Sequence, residues 1–146
     1  MPDTTIYKEG SKGPLTIHDP TRFQDGEQVE GPSSQIDILP TVLDLLDYEV
    51  ENGEYLGYSL LRESTEDRVL FSSCWFENKC LASVRGHKKY IHHYGNRPDE
   101  IFALSEDPSE QNYLAGEYSQ EELDQRRDEL LEWRSNFNVT YTPTGG

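Results

Sequence analysis

The chain has 146 residues, enough for one ordinary domain or for part of a larger one. Thirteen Lys and Arg against 28 Asp and Glu leave a formal net charge of −15, a field that repels phosphate backbones and anionic lipid and argues against nucleic-acid and membrane-surface partners. With 34% apolar and 11% aromatic residues and a mean hydropathy of −0.82, the composition predicts a small core inside an acidic shell rather than disorder throughout.

The amino terminus, MPDTTIYKEGSKG, lacks the apolar run of a secretory signal, and no stretch is long and apolar enough to span a bilayer. The chain therefore reads as soluble. Residues 14–18, PLTIH, read as a short buried strand, and the turn-rich segment Asp19–Ser33 as an exposed loop. Ile36, Leu39, Leu43 and Leu46 recur at helical spacing, which predicts a helix over 36–47 with one buried face. Ser34 and Asp37 resemble a capping box, with Asp37 an alternative cap, and Pro40 is tolerated in the first turn. Leu56–Leu61 returns toward a core, and Arg62–Asp67 is a polar connector between two lobes.

Beyond the connector the period becomes that of strands. Arg68–Phe76, Leu81–Arg85, Lys88–Tyr94 and Glu100–Leu104 predict an antiparallel meander, with Gly86–His87 as a type II′ hairpin turn. Ser119 and Glu122 form a second capping box. The following helix presents Leu123, Leu130, Leu131 and Phe137 to the sheet, and the tail NVTYTPTGG is expected to fray.

Few residues carry chemistry. His92 and His93 adjoin on one strand, so their side chains leave opposite faces and cannot share a metal. His87 falls in a turn. His18 follows a predicted strand, where α/β sheets place ligands, and is the histidine retained as a site candidate. Cys74 and Cys80 would face opposite ways across a two-residue Glu77–Asn78 turn and the same way across a longer loop; free thiols are expected. Asp44 and Asp47, one turn apart, read as a solvated edge. No P-loop, GxSxG, HExxH or EF-hand pattern occurs, and the Asn138–Val139–Thr140 sequon matters only in a secreted protein.

One ordered set of stretches is specific. PLTIHDP (14–20), SQIDILPTVLDLL (34–46) and GYSLL (57–61) are followed by SVRGHKKYI (83–91) and EIFALSEDPSE (100–110), with Asn112, Leu114 and Ala115 behind them. In this order the chain resembles, over roughly residues 7–134, the carboxy-terminal part of sulfatases and is similar to the phosphonate monoester hydrolases of the alkaline-phosphatase-like superfamily.

The resemblance implies an α/β class chain, an α+β fragment. Residues 1–61 would be the remnant of the large α/β lobe. Residues 62–137 would form a small antiparallel sheet of about four strands packed by a carboxy-terminal helix, and 138–146 a flexible tail. It also implies hydrolysis of sulfuric, or related phospho- or phosphonate, esters with a divalent cation (Ca, Mg or Mn). The formylglycine motif C-x-P-x-R or C-x-A-x-R is not met by Cys74, followed by WFEN, or by Cys80, followed by LASV. The family's metal-binding aspartates fall upstream of a segment like Ile6–Gly10, and its catalytic lysine has no counterpart where Asp3 and Thr4 stand.

No catalytic or metal residue is therefore assigned. Lys12, where many relatives carry arginine two residues before the proline, and His18 are the substrate-binding candidates. The implied cation is not expected to be bound by this chain alone, and the ester substrate requires the missing amino-terminal part. The resulting expectation is a sulfatase-like polypeptide inactive on its own. The alternatives are an acidic, non-catalytic binding or regulatory module associating with a full-length relative through an exposed helix stripe, and a non-functional remnant. Because the larger lobe would be incomplete, backbone amides in the predicted sheet and last helix should exchange with deuterium more slowly than those of residues 1–61. Equal protection in both regions would contradict that expectation.

Overall fold

A two-residue turn at Gly86–His87 sets the register of the sheet. Gly86 has φ +55° and His87 stays at negative φ, as a type II′ turn requires, and the turn joins β2 (Cys80–Arg85) to β3 (Lys88–His93). The computed structural model describes residues 6–7, 13–29, 31–51, 56–62, 68–74 and 79–141, with side chains described as far as Asn136. Arg85 pairs with Lys88 and Cys80 with His93 along the hairpin, and β3 pairs antiparallel with β4 (Glu100–Ala103). With β1 (Val69–Ser73) on the far edge, the sheet has the order β1-β2-β3-β4, the predicted four-stranded antiparallel meander. Together with its two α-helices the chain is of mixed α+β class. Contacts divide it into two units, residues 14–70 and residues 71–146, the latter joined by residues 1–13.

In the sheet unit, alternation sends side chains to two faces. Leu81, Tyr90 and Ile101 meet Leu130 of the helix α2 (Gln120–Tyr141), with Phe71, Leu123 and Trp133 packed around them. The expected helix face is only partly correct: Leu131 is exposed, and Trp133 instead stacks on Phe71 with ring centroids 5.2 Å apart. Phe137 lies outside the described side chains. At the helix start, the Ser119 N–H donates to Glu122 Oε2 at 2.9 Å while the Glu122 N–H donates to Ser119 Oγ at 3.3 Å, the reciprocal capping box. The helix continues to Tyr141, into the stretch expected to fray, because nothing in residues 134–141 breaks its backbone hydrogen-bond ladder.

On the opposite face, Ala82, Ile91 and Phe102 pack with Cys74, Cys80 and Ile6, so the amino-terminal segment completes this core. The cysteines form a disulfide, correcting the expectation of free thiols. The Cys74 N–H donates to the Cys80 carbonyl at 3.0 Å and the Cα atoms are 5.2 Å apart, so the two residues stand opposite each other with their side chains turned the same way. Glu77 and Asn78 lie outside the described residues.

In the unit of residues 14–70, a 3₁₀ turn (Gln35–Asp37) leads into α1 (Ile38–Leu45). Pro40 sits in the first turn, where its missing N–H breaks no bond. The expected buried strand at 14–18 does not form. These residues are exposed, since no ladder partner satisfies their backbone. The expected burial of the α1 stripe is largely overturned: Ile36, Leu39, Val42 and Leu46 are exposed, as is Ile38, Leu43 and Leu45 are half-buried, and Asp37, Pro40 and Thr41 are buried. Among the described residues no helix is long and apolar enough to cross a membrane.

The end of α1 forms a Schellman motif. The Tyr48 N–H donates to the Leu43 carbonyl at 2.9 Å and the Asp47 N–H to the Asp44 carbonyl at 3.3 Å, with Asp47 in the left-handed region at φ +54°. An L-residue with a Cβ is disfavoured there. Replacing Asp47 by Gly should stabilise α1 by about 1 kcal/mol, read as roughly fivefold slower hydrogen exchange of its amides.

Candidate functional site

The polar side chains gather in three places, one in residues 14–70 and two on the opposite faces of the sheet. The first is centred on Asp37. Its carboxylate, itself fully buried, accepts from the Ser34 N–H at 2.7 Å, the Tyr58 N–H at 2.9 Å and the Arg68 guanidinium. Thr41 Oγ1 donates to the Asp37 carbonyl at 2.6 Å and accepts from the Leu60 N–H at 2.9 Å. The segment 57–60 is thereby fastened along the polar side of α1. Gly57 is required by this contact, because a Cβ there would lie 2.0 Å from the Ile36 carbonyl oxygen. Burial alone would raise the pKa of Asp37, but the hydrogen bonds and charge of Arg68, with the two backbone donors, hold it below the ordinary carboxylate range. Arg68 in turn lies over the Tyr58 ring, 4.9 Å from its centroid.

Beside this node a cleft of about 470 Å³ is lined by Leu43, Asp44, Asp47, Tyr48, Tyr58 and Arg62, among others. Arg62 grips Asp44 with two hydrogen bonds of 2.8 Å, an exposed pair of small energetic weight. Arg22 reaches the last carbonyls of α1, those of Asp44 and Leu45, at 3.4 Å, a cation at the negative end of the helix.

The second place lies on the sheet face opposite α2. Lys89 Nζ donates to both Glu110 carboxylate oxygens at 3.0 and 3.1 Å and to the Ile6 carbonyl, and both side chains are almost fully buried. Burial pulls the Lys89 pKa below its ordinary value, and Glu110 opposes that shift. Glu110 has φ +54° in a turn pinned by Asp107, whose Oδ2 accepts the Asn112 N–H at 2.6 Å. Close by, Glu100 accepts from the Tyr7 hydroxyl at 2.6 Å and from Arg97 at 2.7 Å. His93 Nε2, also buried, faces Glu100 at 3.6 Å. Burial would raise the Glu100 pKa, but His93, Tyr7 and Arg97 bring it down to about 2, while burial and Glu100 push Tyr7 up to about 12.

The third place is beneath α2. Asp99 accepts from the Tyr90 hydroxyl at 2.6 Å, contacts His92 Nδ1 at 2.9 Å and faces Arg127 Nε at 3.7 Å. His92 and His93 thus serve opposite faces, as their adjacency predicts, and His87 is exposed in its turn. His18 is exposed in a segment without regular secondary structure, and Lys12 lies outside the described residues.

The alternation that puts Lys89 on the face of Ile91 was a signal for its burial, but its partner Glu110 comes from a turn that no periodicity locates. Among the described residues no three His, Cys, Asp or Glu are grouped to hold a metal. Among the described residues the buried carboxylates accept from Arg, Lys, Tyr or backbone donors, which compete with a divalent cation for the same oxygens. No protein-family model and no curated protein matches this chain.

The depressed Glu100 pKa has a pH consequence. A carboxylate whose folded pKa lies below its unfolded value stabilises fully above the unfolded value and loses that contribution as pH falls through the folded one. Between pH 5 and pH 2 the native chain should lose about 3 kcal/mol more stability than a Glu100→Gln variant, measured by urea unfolding across that range.

Proposed function

We propose that this chain is a sulfatase-like polypeptide, carrying the carboxy-terminal portion of an alkaline-phosphatase-like fold and catalytically silent on its own. The family chemistry is hydrolysis of sulfuric esters or of related phospho- and phosphonate esters. One observation carries the reading: the stretches that resemble the family meet in pairs. SQIDILPT is joined to GYSLL through Asp37, Thr41 and the close approach at Gly57. SVRGHKKYI is joined to EIFALSEDPSE through the buried Lys89–Glu110 pair. Residues that look like motifs are thus scaffold anchors, which explains how the stretches can resemble the family while none of them carries its chemistry.

Silence follows from what ester cleavage needs: an activated nucleophile, a cation to neutralise the nonbridging oxygens, and an acid for the leaving group. Cys74 and Cys80 are joined in a disulfide, so neither offers a thiol, and neither stands in a C-x-P-x-R or C-x-A-x-R context. A net charge of −15 further repels an anionic ester. Without nucleophile and cation, the roughly 10⁶-fold or greater acceleration expected of an enzyme is lost.

The test has two parts. With 4-nitrophenyl sulfate or phosphate and added calcium, magnesium or manganese, the purified chain should release no more nitrophenol than buffer; turnover abolished by a chelator would overturn the silence. The reading frame preceding Met1, or a neighbouring gene, should encode C-x-P-x-R or C-x-A-x-R with paired aspartates, and finding neither would remove the family reading.

A further inference from the structure

An eight-residue helix with a strong apolar stripe normally turns that stripe inward. Here α1 does the reverse. Ile36, Ile38, Leu39, Val42 and Leu46 are each 40–57% exposed, while the buried positions are Asp37, Pro40 and Thr41. The inversion is enforced and not incidental. Asp37 and Thr41 are bonded to the Tyr58 and Leu60 amides, and Gly57 touches the Ile36 carbonyl, so the helix cannot roll its apolar side inward without breaking that node. Val50, Leu56 and Leu61 add further exposed apolar surface within the same unit. An apolar patch of this kind marks an interaction surface.

Charge decides between occupants. Residues 14–70 contain three basic and thirteen acidic residues, a net −10 out of the chain's −15. All three cations are engaged by carboxylates of the same unit: Arg68 by Asp37, Arg62 by Asp44 and Arg22 by Asp47. Asp47, Glu49 and Glu51 follow the stripe and are exposed. A second copy would bring one acidic rim against another, and an anionic membrane would meet the same repulsion. An apolar surface rimmed by Lys and Arg meets both the stripe and its border.

We propose that the outward face of α1 is a docking surface for a different polypeptide that presents apolar side chains within a basic rim. The inference stands on the geometry and charge of residues 14–70. Apolar contact supplies the binding and the rim supplies orientation and association rate, so affinity falls with salt without vanishing.

The full chain can be tested with three labelled synthetic peptides of equal length: an amphipathic leucine–lysine helix, its leucine–glutamate counterpart, and a lysine–serine peptide without an apolar face. At 0.15 M salt, taken as about physiological, the leucine–lysine peptide should bind at least about tenfold more tightly than either control, a difference of about 1.4 kcal/mol. The double variant Leu39→Asp, Leu46→Asp should lose that advantage while keeping its circular dichroism. Tyr113→Asp, an exposed aromatic in the other unit, should bind like the native chain. Equal binding by native and double-variant chains would overturn the proposal. So would a native dimer in sedimentation that the double variant dissolves, which would make a second copy the occupant. Adsorption to phosphatidylcholine vesicles lost in the double variant would likewise overturn it in favour of a membrane.

Discussion

A carboxylate taken out of water must be met by a cation or by several hydrogen-bond donors, and in a chain with 28 acids and 13 bases this constraint shapes both units. Asp37 is met by Arg68 and two backbone amides, Glu110 by Lys89, Glu100 by Arg97 and Tyr7, and Asp99 by Tyr90, His92 and Arg127. Each pairing joins separate segments: a helix start to a returning loop, a central strand to the turn after β4, the sheet to the amino-terminal segment, and the sheet to α2. Removing one partner from such a pair leaves an uncompensated buried charge, at a cost of about 3–5 kcal/mol. Apolar burial supplies the bulk driving force, and these pairs choose which segments meet.

The same constraint sets the protonation of these acids. A carboxylate that accepts two or three hydrogen bonds and faces a guanidinium or ammonium group is poorly suited to take a proton near neutral pH. Asp37, with its pKa held down, and Glu100, at about 2, are anchors of this kind. Tyr7, pushed up to about 12, is a hydrogen-bond donor and not an acid at physiological pH. A scaffold built this way serves catalysis or binding only through surfaces that its anchors leave uncovered.

The two units differ in how complete they are. The sheet has a packed layer on each face, with Leu130 and its neighbours on one side and Ile6 with the disulfide on the other. Residues 14–70 have a hydrogen-bonded spine and little apolar burial: Ile38, Leu39 and Val42 of their helix are exposed, and their first segment is exposed without regular secondary structure. Such a unit is held in shape by directional bonds and leaves apolar surface exposed, whereas the sheet unit buries its own.

Much of this was legible in the order of residues. Period-two alternation and the Gly86–His87 turn located the sheet and its register, because a hairpin's pairing follows from local backbone geometry. Capping residues located both helices for the same reason, since Ser34, Asp37, Ser119 and Glu122 satisfy amides only a few positions away. What could not be read was anything that depends on the arrival of a distant segment. The disulfide, the outward turn of the α1 stripe, the burial of Lys89 against Glu110 and the place of Ile6 in the sheet core each arise from contacts that no local pattern pairs. Periodicity reports which side chains share a face, whereas the side that is covered is settled by whichever distant partner can satisfy the buried polar groups.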